Sequence, residues 1–284
     1  MNTIQVGVCG WGDHDLYPKG TASTEKLPIY AQSFPVVELD SIYHAIPAPE
    51  RMEQWASRTP ESFRFVIKAY RELTGHGRPK GAPERSWDQL IDEYREAILP
   101  MKEQGKCQML LFQFPPWYDC SQKHVRYLRR IRQAFPNDPV AIEFRNQSWF
   151  LDERKEHTLD FLKSEAFIHV ICDEPQAGDG SIPRVMAVTN PNQVLIRFHG
   201  RNVQGWNNTG KPNWRDVRYA YRYNKEELSE CADEIKRLKQ ECKQMTLLFN
   251  NNSQGDAVGS AKLMVELLGL EMKGLSPRQL GLFE

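Results

Sequence analysis

Val194-Leu195-Ile196-Arg197-Phe198-His199 is an apolar run that closes on charged and imidazole side chains. Seven further runs recur at the spacing of one βα unit: Ile4–Cys9, Val36–Asp40, Phe65–Lys68, Met109–Phe114, Val140–Arg145, Phe167–Asp173 and Thr246–Asn250. Between them lie helical patterns at Glu25–Phe34, Pro49–Arg58, Ser86–Glu103, Ser121–Phe135, Glu153–Ser164, Lys225–Lys243 and Asp256–Leu268, with Ser86 and Ser121 placed to cap theirs. The connection from Glu174 to Gln193 reads as irregular. Eight such alternations predict an α/β fold, a single (β/α)8 TIM barrel over residues 1–270, with its active site where the strands end. Two strand-end loops are long and basic, Ala69–Arg85 after strand three and Gly200–Asn224 after strand seven, and long loops on that face are usually binding elements.

The bulk properties narrow the classes. A chain of 284 residues suits one barrel, which typically needs about 250. Its 37 basic and 37 acidic side chains cancel, so no global field attracts a nucleic acid or membrane, and any anion preference is local. No apolar stretch approaches the length of a membrane span and no leader precedes the first strand, so a soluble, cytoplasmic protein is expected. The six cysteines lack short paired spacing, which argues against a disulfide framework or zinc knuckle.

Side chains alternate along a strand, so each run divides into an outward and an inward set. Strand five sends Ala141, Glu143 and Arg145 inward; strand seven sends Leu195, Arg197 and His199; strand four sends Met109, Leu111 and Gln113. The same parity places Glu38, Asp40, Lys68, His169, Asp173 and Asn250 in the lumen. Buried charges are costly unless paired or used, and branched apolar residues would fill a purely structural barrel better. A polar cavity built for function is expected.

The blocks Gly7–Gly12 (GVCGWG), Val37–Pro47 (VELDSIYHAIP), Gln113–Pro116 (QFPP), Ala141–Trp149 (AIEFRNQSW), Arg197–Asn202 (RFHGRN) and Phe249–Asn251 (FNN) occur in one order along nearly the whole chain. So do Trp55, Thr59–Pro60 and Phe63–Lys68. In these the chain resembles the YecE-like family, domain of unknown function 72, which implies a TIM barrel and a site position but no reaction. It departs from the family where Glu-x-Asn-Ser-Thr-Phe-Tyr reads Glu38-Leu39-Asp40-Ser41-Ile42-Tyr43-His44, and where Thr-His reads Thr74-Gly75-His76.

Three chemistries fit these residues. An anionic, phosphate-bearing substrate such as a nucleotide or nucleic acid would be held by Lys68, Arg145, Arg197 and His199, and the turn at Asn250–Gly255 could cradle phosphate. Glu143 would then be general acid or base, Glu38 its partner, and Asn250 an orienting group, giving a hydrolase-type enzyme. Secondly, Glu38 and Glu143 could act as a glycosidase pair, with the strand-end tryptophans Trp11, Trp117, Trp149, Trp206 and Trp214 as stacking faces. Thirdly, a non-catalytic ligand-binding adaptor is open. Catalytic candidates are Glu38, Lys68, Glu143, Arg197 and His199. Substrate-binding candidates are Trp11, Asp40, His76, Gln113, Arg145, Trp149, Asp173, Arg201, Asn250 and Asn251. No cofactor is expected; a divalent metal on Asp13, His14, Asp15, Asp40, Glu143, Asp173 or His199 is an alternative opposed by the nearby cations.

Residues 271–284 form a tail whose Gln279-Leu280-Gly281-Leu282-Phe283 resembles the short peptide that docks bacterial polymerases and repair proteins on the replication sliding clamp. Gln279 would hydrogen-bond at a rim while Leu280, Leu282 and Phe283 fill an apolar cleft. Folding of the tail onto its own barrel is the other reading.

Overall fold

The computed structural model describes residues 3–12, 14–151, 153–178, 181–207 and 217–277. Eight parallel strands close in sequence order: β1 (Thr3–Cys9), β2 (Val36–Leu39), β3 (Arg64–Lys68), β4 (Cys107–Gln113), β5 (Val140–Glu143), β6 (Ile168–Asp173), β7 (Gln193–Phe198) and β8 (Gln244–Phe249). Val8 pairs with Phe249 across the closing seam. Gly7 permits the close approach of β1 to β2, because a Cβ there would stand 2.0 Å from the Val36 carbonyl oxygen.

The helices are α1 (Ser23–Tyr30), α2 (Pro49–Ser57), α3 (Trp87–Glu103), α4 (Gln122–Ala134), α5 (Arg154–Ser164), α6 (Val203–Trp206), α7 (Lys225–Leu238) and α8 (Asp256–Leu267). In α3, Leu90, Ile91, Tyr94, Ile98 and Met101 make one buried stripe at helical spacing, and Ser86 with Gln89 forms the expected capping box. Ser121 does not cap α4; its hydroxyl lies 3.1 Å from His124 Nδ1 instead. Among the described residues the connection from β6 to β7 carries no α-helix, and no helix is long and apolar enough to cross a membrane.

The segment after α8 runs along the rim at the strands' amino ends. There the Ser276 amide donates to the Ala31 carbonyl and Ser62 Oγ to the Gly274 carbonyl. The peptide Gln279–Phe283 lies outside the described residues. All six cysteines are free thiols.

Candidate active site

Polar side chains from β2, β5 and β7 meet on one guanidinium. Arg197 donates to both oxygens of Glu38 from Nε and Nη2, at 2.9 and 2.7 Å, and from Nη1 to Glu143 Oε2 at 2.5 Å. Gln113 Oε1 accepts from Nη1 at 3.3 Å, and the Cys9 thiol donates to Glu38 Oε2. Arg145 stands 2.5 Å from Glu143 Oε1 and donates 2.7 Å to Glu174 Oε2; its Nη2 also lies 2.9 Å from His199 Nε2. The other imidazole nitrogen of His199 is 3.0 Å from the Asn250 amide.

These groups are buried, and burial sets their charge state. Desolvation alone would raise Glu143, but the guanidiniums of Arg145 and Arg197 outweigh it and hold the carboxylate well below its usual range. Burial first, and Arg145 second, push His199 far below an ordinary imidazole, so it is neutral. Desolvation raises Glu174 to about 6 against the pull of Arg145. The two carboxylates expected to serve as a glycosidase pair therefore share one guanidinium, that of Arg197. Glu143, held ionised there, is not placed to act as a general acid.

The accessible chemistry lies above this floor. Lys68, half-buried at the end of β3, sits 4.8 Å from the ring centroid of Tyr43 and makes no hydrogen bond or ion pair among the described residues. Tyr43 also meets His76 at 5.2 Å, and His76 meets Trp117 at 6.1 Å. Burial, then Lys68, Arg71 and Arg145, drive the His76 pKa down to about 4. Asp40 opens onto a cavity of about 430 Å³ that Trp11, His14 and Trp55 help to line. Enclosure first, and the Glu38 charge second, raise its pKa, while Lys68 opposes the rise. The loop after β7 covers the opposite side, where Trp206 and Tyr219 pack near His199 and Arg145 stacks on Trp206.

The structure thus gathers Glu38, Glu143, Arg145, Arg197, His199, Gln113 and Asn250 into one cluster, with Lys68, His76 and Asp40 at its mouth and Trp11 in the adjoining cavity. Four expected substrate contacts lie elsewhere. Asp173 faces the helix layer, accepting from Arg201 at 3.0 and 2.7 Å and from the Tyr223 hydroxyl at 2.6 Å, so Asp173 and Arg201 neutralise one another. Trp149 is buried, stacked on Phe144 at 4.0 Å, and its indole donates to the Tyr118 carbonyl. Asn251 is buried too, its amide bound to the Tyr221 carbonyl and to Ser260 Oγ.

His169 also departs from the expected lumen position. It packs on Phe150, with Nε2 3.0 Å from the Val185 carbonyl oxygen. Parity failed in β6 because its polar side chains find their partners outside the lumen, His169 at the Val185 carbonyl and Asp173 at Arg201 and Tyr223. The true phase brings in Cys172, within 4.8 Å of ligand atoms on Glu143 and His199, and then Glu174. In that trio Glu143 is already held by two guanidiniums, which compete with any cation for its oxygens. Asp13 and Trp214 lie outside the described residues.

The turn expected to cradle phosphate is fronted by a carboxylate. Asp256 opens α8 and pairs with Arg222 at 2.6 Å, while neither it nor Ser253 caps the helix. Sequence reasoning missed Glu174 and Tyr43. Corrected parity in β6 would have found the first, and the cation-rich surroundings of Tyr43 exist only in three dimensions.

Comparison with known proteins agrees with this architecture. The protein YunF of Bacillus subtilis, named a UPF0759 protein, is 48% identical over 99% of this chain and 100% of its own length. YecE of Escherichia coli K12 is 24% identical, the match spanning 69% of this chain and 74% of YecE. A DUF72 protein of Enterococcus faecalis superposes with a TM-score of 0.91 at 37% identity, covering 98% of this chain and 100% of that one. One from Thermotoga maritima gives 0.79 at 27%, covering 94% and 99%. The family described as "Protein of unknown function DUF72" matches residues 5–281, and the chain belongs to it.

Proposed function

We propose that the barrel mouth is the active site of a hydrolase-type enzyme that takes a phosphate-bearing substrate. One observation carries the reading: the ammonium of Lys68 stands at the mouth with no ion pair among the described residues, the nearby Asp40 carboxylate feeling its charge without closing one, while every carboxylate of the floor is already matched to a guanidinium. A half-buried cation whose hydrogen-bond donors are not taken up by an ion pair favours an incoming anion. Lys68 and Arg71, both within reach of the Tyr43 ring, hold the phosphate. His76, kept neutral first by burial and then by those cations, donates or accepts a hydrogen bond without adding charge.

Asp40, rather than Glu143, serves as the general base, since its raised pKa strengthens it as a proton acceptor and it is open to solvent. Water oxygen bonds to phosphorus, its proton passes to Asp40, and the ester P–O bond breaks with the leaving oxygen protonated by solvent. Glu38, Glu143, Arg145, Arg197 and His199 form a rigid polar floor that fixes the geometry above it.

The test is thermal unfolding with inorganic phosphate or a nucleoside monophosphate, followed by an assay on phosphate esters and glycosides. The wild-type protein is stabilised by the anions and hydrolyses an ester, whereas Lys68→Met loses both effects. Equal anion binding by Lys68→Met, or turnover of glycosides alone, sinks the proposal.

A second reading concerns recruitment. The anchoring of Gly274 and Ser276 on the rim opposite the mouth supports it, because a peptide leaving there can bind a partner without covering the site. The Gln279–Phe283 peptide would dock on a bacterial sliding clamp and bring the mouth to DNA. Loss of clamp binding in Leu282→Ala with Phe283→Ala is the expected result; binding indifferent to both changes removes the reading.

A further inference from the structure

Although the chain is neutral overall, α4 (QKHVRYLRRIRQA) carries Lys123, Arg126, Arg129, Arg130 and Arg132 and no acidic residue. Arg129 and Arg130 have partial partners in Glu165 and Asp88, and Arg132 is spent on backbone carbonyls. Lys123 and Arg126 are different. Both are exposed; Lys123 has no hydrogen bond or ion pair among the described residues, and Arg126 reaches only Gln122 of its own helix.

Together with Arg130, these two side chains line a groove of about 540 Å³ between α4 and the turn at Gly75, and Trp117 stands at its edge. Trp117 is 64% exposed, unlike any other tryptophan among the described residues. Of the carboxylates nearby, Glu72 is held by Arg85 at 3.0 Å, and Asp119 is turned to His124, hydrogen-bonded at 2.7 Å. From Trp117 a continuous series of ring contacts leads through His76 and Tyr43 to Lys68 in the mouth.

A basic groove that leads past an exposed aromatic face matches the way single strands are held: cations follow the phosphates, and an open π-face takes an unstacked base. We propose that this groove binds single-stranded nucleic acid, with phosphates on Lys123, Arg126 and Arg130 and a base on Trp117, and feeds the strand toward Lys68. The inference rests on the reading of the mouth as a phosphate-ester site and names its substrate class. A duplex is a poorer occupant, because its bases are stacked on each other and cannot reach the indole.

Fluorescence anisotropy of a labelled oligothymidylate or oligouridylate, about 20 nucleotides long so as to exceed one binding site, tests this on the whole protein. Binding is expected to fall with salt, by a log–log slope of about −0.7 for each neutralised phosphate. Trp117→Ala should weaken it by roughly tenfold through lost stacking. Replacing Lys123 and Arg126 with Ala should weaken it and make the slope shallower; all three side chains are exposed, so these variants should fold. No binding, binding indifferent to both variants, tighter binding of a duplex, or equal competition by polyglutamate overturns the proposal. Strand binding needs no turnover. Binding without ester hydrolysis therefore sinks the mouth chemistry alone, and hydrolysis of a small ester without strand binding sinks the groove alone.

Discussion

Arg197 on β7 and Glu38 on β2 are joined by two hydrogen bonds, through Nε at 2.9 Å and Nη2 at 2.7 Å, across the upper lumen of the barrel. Both side chains are almost wholly shielded from solvent, and the remaining Nη1 of the guanidinium serves Glu143. Breaking such a pair from one side leaves an uncompensated buried charge, at a cost of about 3–5 kcal/mol. Arg197→Met, which strands Glu38 and leaves Glu143 to Arg145 alone, should lose about that much in urea unfolding. Lys68→Met, which breaks no ion pair among the described residues, should change stability by less than about 1 kcal/mol. Comparable losses for the two would contradict the charge assignment.

Glu174 gives stability a measurable pH signature. Its pKa rises on folding from 4.5 to about 6, so the native state holds its proton more tightly than the unfolded chain does. Its contribution is therefore fully present below the unfolded value and is lost as pH climbs through about 6, a change on the order of 2 kcal/mol. The stability difference between the wild type and Glu174→Gln should shift by that amount between the two pKa values. A difference that stays flat across this window means the carboxyl is not raised.

His169 works in the opposite direction. Burial lowers its pKa from 6.5 to about 4, so the folded state binds this proton less well. Its contribution is present above the unfolded value and is lost as pH falls toward about 4, roughly 3 kcal/mol in all. Imidazole proton resonances followed by NMR should show no titration of His169 above pH 5. A midpoint near that of a free imidazole would refute the buried, neutral assignment.

Trp149 belongs to the core, not to the mouth. Its ring lies parallel to Phe144, 4.0 Å away, and its N–H is satisfied by Tyr118. Trp149→Ala should cost about 3–5 kcal/mol, whereas Trp149→Phe should lose about 1–2 kcal/mol, mainly the hydrogen bond. Calorimetry checks both. A small loss in Trp149→Ala, or loss of ligand affinity at temperatures where the variant is folded, would put this indole back in the binding site.

Gly200 controls how the loop after β7 leaves the barrel. Its φ is +82°, and a Cβ there would lie 2.5 Å from Tyr221 Cβ. Gly200→Ala is therefore strained both in its backbone and against its neighbour, and a loss above about 1 kcal/mol is expected. Hydrogen exchange should speed up over residues 200–207, and unchanged protection there would argue against the constraint.

The eight strands were readable in the sequence because each apolar run is bounded by helical periodicity, and all eight lie within two residues of their expected ends. The expected placement of Glu38, Glu143, Arg145, Arg197, His199 and Asn250 also follows from alternation, since strands five and seven interleave polar and branched apolar residues. In Ile168–Asp173 the polar residues are satisfied in the helix layer, at Val185, Arg201 and Tyr223, so polarity there did not mark the lumen face. A phase shifted by one residue moved His169 and Asp173 out of the lumen and brought Cys172 and Glu174 in.

Composition and periodicity by themselves determined the barrel, the strand ends that form its rim, and the residue types gathered there, because these depend on local repeats. Only the tertiary structure decided which charges cancel. Ion pairing depends on distances of a few ångströms between strands far apart in the chain: Arg197 and Glu38 are separated by 159 positions yet meet at 2.7 Å. The same folding left Lys68, with the same formal charge, outside any ion pair among the described residues.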